Sequence, residues 1–215
     1  MKLYSYFRSS ASYRVRIALN LKGIPYKYLP VHLVRNGGEQ LAPAYREINP
    51  DQLVPTLLDD AGAPIPQSLA IIEYLEETHP TPPLLPREPA NRAYVRSLAL
   101  QIASEIHPLN NLRVLKYLTE SLGLNEETKS TWYRHWVEVG FSSLEARLAS
   151  DARTGTFCHG DAPTLADLCL VPQVFNAQRF SIDVNRYPTL ARINANALQL
   201  EAFAQAAPDR QPDAA

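Results

Sequence analysis

The stretch HPTPPLLPREP, residues 79–89, carries five prolines in eleven positions. Each proline removes a backbone donor and fixes φ, so no helix interior or central strand runs through it. The segment reads as an extended, stiff connection. It divides the chain into a first domain at 1–82, a linker at 83–89 and a second domain at 90–215.

The patterns on the two sides differ. KLYSYF is short, aromatic and strand-like. From Ser12, Val15, Ala18 and Leu19 fall at helical spacing, and Gly23-Ile24-Pro25 stops the run. YKYLPVHL reads as a second strand, Asn36-Gly37-Gly38 as loop, VPTLLDD as a third strand and PIP as a short fourth segment. SLAIIEYLEE returns to helical spacing through Leu69, Ile72 and Leu75. The order β-α-β then β-β-α predicts a parallel crossover followed by an antiparallel hairpin. Beyond the linker the patterns are helical, near 90–107, 109–121, 126–149, 164–180 and 188–206, with a polar tail PDRQPDAA expected to fray. The fold class is α/β followed by all-α.

Charge narrows the function. Lys plus Arg is 21 against 22 for Asp plus Glu, a net charge of −1. No basic field is available for nucleic acid or an anionic membrane, so any anion is recognised by local placement. No apolar run reaches the length of a membrane span, and MKLYSYFRSS lacks the apolar core of a secretory signal. Cys158 and Cys169 form neither a CxxC pair nor a metal-ligand spacing with the five histidines. They are expected as buried thiols in a cytoplasmic protein, with no metal site.

Candidate sites cluster at helix ends. In RSSASYRVRIALN, residues 8–20, the polar and cationic residues fit either a capped helix with a solvated face or a site for an anion. Ser68, after Gln67, reads as the N-cap of SLAIIEYLEE, and that helix start could also receive a carboxylate. Thr164 to Asp167 resembles a capping box ahead of the apolar helix LADLCLVPQVF. Trp132 and Trp136 share one helix face. Arg179 follows the apolar helix beside Phe180, a position that suits an anionic partner. His107-Pro108-Leu109-Asn110-Asn111 marks a polar bend. Val54-Pro55 is expected trans by default, while a cis bond would leave the Val54 backbone open for pairing with a peptide-like ligand.

The segments SSASYRVRIAL, INPDQLVPTL, QSLAIIEYLEE, TLADLCLVPQV and NAQRF, from Ser9 to Phe180, resemble the zeta-class glutathione transferases. The resemblance implies a thioredoxin-like N-terminal domain, an all-helical glutathione-transferase domain, a homodimer and a cis bond at Pro55. It implies a glutathione site of Ser9, Ser10, Ala11, Gln40, Val54, Gln67 and Ser68, joined by His107, Asn111 and Arg113. The family's third motif residue is usually cysteine. Here it is Ala11, so Ser9 is left as the side-chain activator of the glutathione sulfur.

The implied activity is glutathione-dependent cis–trans isomerisation of maleylpyruvate to fumarylpyruvate. A thiolate adds to the enedione, the displaced charge becomes an enolate, the single bond rotates and the thiolate leaves. Arg8, Arg113 and Arg179 are the candidate donors to the substrate carboxylates and the developing charge, with Ser9, Arg8 and Arg179 in the catalytic roles. The alternatives are maleylacetoacetate isomerisation, a conjugating or dehalogenating transferase, and a non-enzymatic binding protein of the same fold.

Overall fold

Leu3 and Ser5 are buried in β1 (Lys2–Ser5) while Lys2 faces out, the alternation of a strand with one covered face. The protein is described here by a computed structural model over residues 1–214. β1 pairs in parallel with β2 (Lys27–Pro30), and α1 (Ser10–Leu21) makes the crossover. β3 (Thr56–Leu58) lies antiparallel to β1, and β4 (Pro64–Pro66) antiparallel to β3, in the order β2-β1-β3-β4. Leu3 stands opposite Tyr28 on one side and Leu57 on the other, which centres the apolar layer on β1. Both the crossover and the hairpin follow the sequence expectation. A six-residue helix, α2 (Pro43–Ile48), was not anticipated; Pro43 opens it at a position where a missing N–H costs nothing.

α3 (Ser68–Thr78) packs against α1. α1 has no solvated face of the expected kind: Ser10 and every residue from Ser12 to Leu19 are buried, two arginines included. Arg16 is fully buried and spends its guanidinium on the carbonyls of Tyr6, Phe7 and Ala206 and on the Ser5 hydroxyl. Desolvation lowers its pKa, and four-fold hydrogen bonding offsets that cost.

The chain resolves into two units, Met1–Leu84 with Leu198–Ala215, and Leu85–Ala197. The sequence-based division kept 90–215 together. The difference has a local cause: α9 (Glu201–Ala206) packs on α1, where Tyr13 donates to the Phe203 carbonyl and Arg16 to that of Ala206. The tail is anchored too, for Asp213 accepts from the Phe7 amide and the Tyr28 hydroxyl. The expected fraying therefore does not occur over 208–214, and residue 215 lies outside the described residues. The single helix expected over 188–206 breaks because Leu200 is extended (φ −82°, ψ 127°), separating α8 (Pro188–Leu198) from α9.

The proline-rich connection is pinned on its N-terminal side. Lys22 Nζ, buried, contacts Glu76 at 2.8 Å and donates to the carbonyls of His79 and Pro82. Glu76 also accepts from the Leu84 amide. Thr81–Pro82 is cis.

In the second unit α4 (Pro89–Leu100) continues as a π-helical turn over Gln101–Ile106. α5 (Leu112–Lys116) likewise runs into a π turn at Tyr117–Ser121. α6 (Glu126–Ser150) carries Gly140 where Ile106 approaches too closely for any Cβ. α7 (Leu165–Arg179) is buried almost all round and packs on α4. Its capping box is present: the buried Asp167 carboxylate takes the Thr164 amide and hydroxyl and the Cys158 amide. Cys158 and Cys169 are both buried thiols, and desolvation holds the Cys158 thiol well above its ordinary pKa. Among the described residues no helix is long and apolar enough to cross a membrane.

Candidate active site

Ser9 is the N-cap of α1, extended at φ −68° and ψ 116°, and its Oγ accepts from the Ser12 amide at 3.2 Å. A serine hydroxyl has two acceptor lone pairs and one donor. The cap uses a lone pair and leaves the O–H to donate elsewhere. Ser10 is buried and Ala11 half-buried in the first turn, which carries no acidic side chain to compete for an anion. The helix start adds partial positive charge.

The turn beneath Ser9 rests on a small core. Tyr6, Val31, Tyr45 and Val54 pack together, with Tyr4, Phe7, Leu33 and Ile48 around them. Ser9 N–H donates to the Tyr6 carbonyl. Arg8 is exposed and bends back, donating from Nε and Nη2 to the Tyr6 hydroxyl at 3.1 and 2.8 Å. It also lies over the Phe7 ring. Tyr6 thus couples three predicted residues, Arg8, Ser9 and Val54. An aromatic in a strand drew no functional reading in the sequence, since packing explains it equally well.

The Val54–Pro55 bond is cis, as the resemblance implied and the residue-level default did not. Among the described residues Val54 makes no backbone hydrogen bond. Two neighbours hold the loop: Tyr45 Oη and Asn49 Nδ2 both donate to the Leu53 carbonyl and both meet Thr56 Oγ1. Gln40 lies against Gly38, whose φ of 118° suits glycine alone. Its Oε1 is buried with no hydrogen-bond partner among the described residues.

Ser68 departs from the expectation. It is the first residue inside α3 rather than the N-cap, because Gln67 occupies the cap position at φ 68° with no side-chain cap bond. The Ser68 hydroxyl instead accepts from buried Arg14 Nη1 at 3.3 Å, which joins α1 to the head of α3. Helical spacing alone did not show that Arg14 is enclosed or that it reaches the head of α3.

On the second unit, His107 ends the π turn of α4, and Asn111 caps α5 by accepting from the Arg113 amide at 3.1 Å. The Arg113 side chain is exposed. Arg179 is exposed in the last turn of α7, with Nη1 at 3.5 Å from Asn176 Oδ1. Among the described residues no group of three or more His, Cys, Asp and Glu side chains could hold a metal.

A thioredoxin-like sheet with a cis proline opening β3 and a serine heading α1 defines the glutathione-transferase class of fold. Residues 3–83 match the glutathione S-transferase N-terminal domain. A probable maleylacetoacetate isomerase of Vibrio cholerae is 54% identical over 99% of this chain and 97% of its own. A solved maleylpyruvate isomerase, described as a bacterial zeta-class glutathione S-transferase, superposes with a TM-score of 0.96 at 48% identity over all of both chains. A maleylacetoacetate isomerase of Methylobacterium extorquens, solved with malonate and glutathione bound, gives 0.95 at 46% identity, again over all of both chains. The chain belongs to the zeta class of the glutathione S-transferase family.

Proposed function

We propose that the chain is a glutathione-dependent cis–trans isomerase that converts maleylpyruvate to fumarylpyruvate. The observation that carries this reading is Ser9, whose hydroxyl caps α1 with a lone pair and keeps its proton for an outside acceptor. The residues fit glutathione as a ligand. The Val54 backbone and Gln40 Oε1 are polar groups without protein partners, suited to a short peptide. Gln67 holds a left-handed φ at the head of α3, a conformation that collects at ligand clamps.

Glutathione supplies a thiolate whose reversible addition makes the substrate's double bond single and free to rotate. Ser9 donates to the sulfur and, with the α1 N-terminus, favours the thiolate over a thiol of ordinary pKa about 8.5. Ser10, Ala11, Gln40, Val54, Gln67 and Ser68 bind and orient the tripeptide, with His107, Asn111 and Arg113 contributing from the helical unit. Arg179 binds a substrate carboxylate, Arg8 stabilises charge near the reacting carbons, and Arg113 serves substrate or glutathione. The protein is proposed as a cytoplasmic homodimer.

One observation favours maleylacetoacetate as the substrate: the Vibrio relative of that name is the more similar in sequence. The two substrates share the reacting enedione and differ in the tail. A spectrophotometric assay of both, with glutathione well below substrate, decides between them. Turnover beyond one equivalent of glutathione, with the higher kcat/KM on maleylpyruvate, is the expected result. Stoichiometric loss of thiol would assign conjugation instead.

A further inference from the structure

Arg8 is exposed, and an exposed arginine ordinarily samples many rotamers. Here its guanidinium has a seat. Nε and Nη2 donate to one oxygen, the Tyr6 hydroxyl, at 3.1 and 2.8 Å, and the group lies over the Phe7 ring, 5.1 Å from its centroid. The seat is itself held. Tyr6 is buried against Val31, Tyr45 and Val54, and the His32 ring meets it edge-on at 4.9 Å. Phenylalanine would fill that core equally well. Only the hydroxyl reaches Arg8.

The form of the contact decides what it leaves over. A guanidinium carries five N–H donors in a planar fork. The phenol takes one from Nε and one from Nη2, the side-on edge. Among the described residues Arg8 makes no other hydrogen bond and no ion pair. Both donors of Nη1 and the second of Nη2 therefore remain, and the end-on edge they form suits two parallel bonds to an anionic oxygen pair or a close approach to one oxyanion. A hydroxyl anchors the charge without cancelling it, whereas a carboxylate in its place would neutralise the group.

Tyr6 also holds the neighbouring Ser9, but by a different atom. The Tyr6 carbonyl accepts from the Ser9 N–H and from buried Arg16. Tyr6→Phe separates the two roles, since it keeps the carbonyl and removes only the oxygen that meets Arg8.

We propose that Tyr6 is the positioning residue for Arg8: its hydroxyl holds one edge of the guanidinium so that the other edge is presented to the enolate oxygen that develops when the thiolate adds. This rests on the reading of Arg8 as a donor to charge near the reacting carbons, and it names the group that sets that donor in place.

The test is steady-state isomerisation of maleylpyruvate and of maleylacetoacetate at saturating glutathione, in wild type, Tyr6→Phe, Arg8→Ala, the double variant and Arg8→Lys. On the faster substrate Tyr6→Phe should lower kcat about five- to ten-fold and leave KM within about two-fold, because the placed charge acts on the transition state. Its thermal midpoint and the thiolate titration of bound glutathione should stay as in wild type, since the core ring and the Ser9 contacts are kept. In the Arg8→Ala background the same exchange should change kcat by less than about two-fold. Arg8→Lys keeps the charge on an exposed side chain but cannot make the two-point contact, and its kcat should fall as in Tyr6→Phe. If Arg8→Ala lowers kcat while Tyr6→Phe or Arg8→Lys does not, this inference falls and the Arg8 reading stands. The same holds if Tyr6→Phe costs as much without Arg8 as with it, or if it raises kcat. If Arg8→Ala leaves kcat unchanged, both fall. Wild type inactive on both substrates would remove the proposed function and this inference with it.

Discussion

At the scale of single residues, one serine oxygen serves both the fold and the chemistry. Ser9 accepts from the Ser12 amide, so replacing it costs a cap as well as a thiolate donor. Ser9→Ala should lower stability by about 1 kcal/mol in denaturant titration. It should also raise the apparent pKa of bound glutathione by about one unit or more, read from thiolate absorbance, since a hydrogen bond to a charged group contributes about 1.5–3 kcal/mol. Ser9→Thr keeps the hydroxyl and should recover most of both. An absorbance titration identical in wild type and Ser9→Ala would remove Ser9 from the mechanism. Arg179→Ala should lower kcat/KM by about ten-fold or more. Ser9 was legible because a hydroxyl ahead of a helical pattern has a local signature. Arg14 and Tyr6 were not, because burial of a guanidinium and the reuse of a phenol by Arg8 depend on neighbours distant in sequence.

At the scale of elements, α1 is the piece on which the first unit turns. It is buried on nearly every side, so its polar residues need partners, and α9 supplies three of them, the carbonyls of Ala202, Phe203 and Ala206. Burial pushes the Tyr13 phenol up to about 12 from an ordinary 10.0. Between those values the folded state holds the proton that the unfolded state has lost. The stability contributed is therefore complete below pH 10 and declines as pH rises towards 12. Tyr13→Phe should give a shallower loss of stability across that window, followed by chemical denaturation at stepped pH. In the second unit, Asp167 is enclosed and holds the Thr164 amide and hydroxyl and the Cys158 amide. Asp167→Ala should be worse than loss of an ordinary cap, about 2–4 kcal/mol, because three donors are left without an acceptor. Thr164 to Asp167 could be read from four residues in a row. The misplacement of Ser68 as a cap shows the limit of the same reasoning: the cap position is decided by the φ of Gln67, which no local residue preference predicts.

At the scale of the whole molecule, the last seventeen described residues belong to the beginning of the chain. Residues 198–214 return to the first unit, with the Phe203 and Ala206 carbonyls facing α1 and Asp213 holding Phe7 and Tyr28. Ending the chain after Leu200 should leave the Arg16 guanidinium buried with one acceptor fewer and should loosen the β1–α1 turn that carries Ser9. The expected outcome is a destabilisation of about 3–5 kcal/mol and faster amide exchange over 2–19, measured by hydrogen exchange. Exchange confined to 198–200 would contradict it. The sequence by itself determined the β-α-β and β-β-α order, the long helices and the caps at Ser9 and Thr164. All of these arise from propensities and periodicities within a few residues. Only the tertiary structure decided that α1 is enclosed, that the tail joins the first unit, that Ser68 answers to Arg14 and that Tyr133 stacks on Phe180. Those depend on which distant groups meet and which are shut away from water, and short-range pattern carries no information about either.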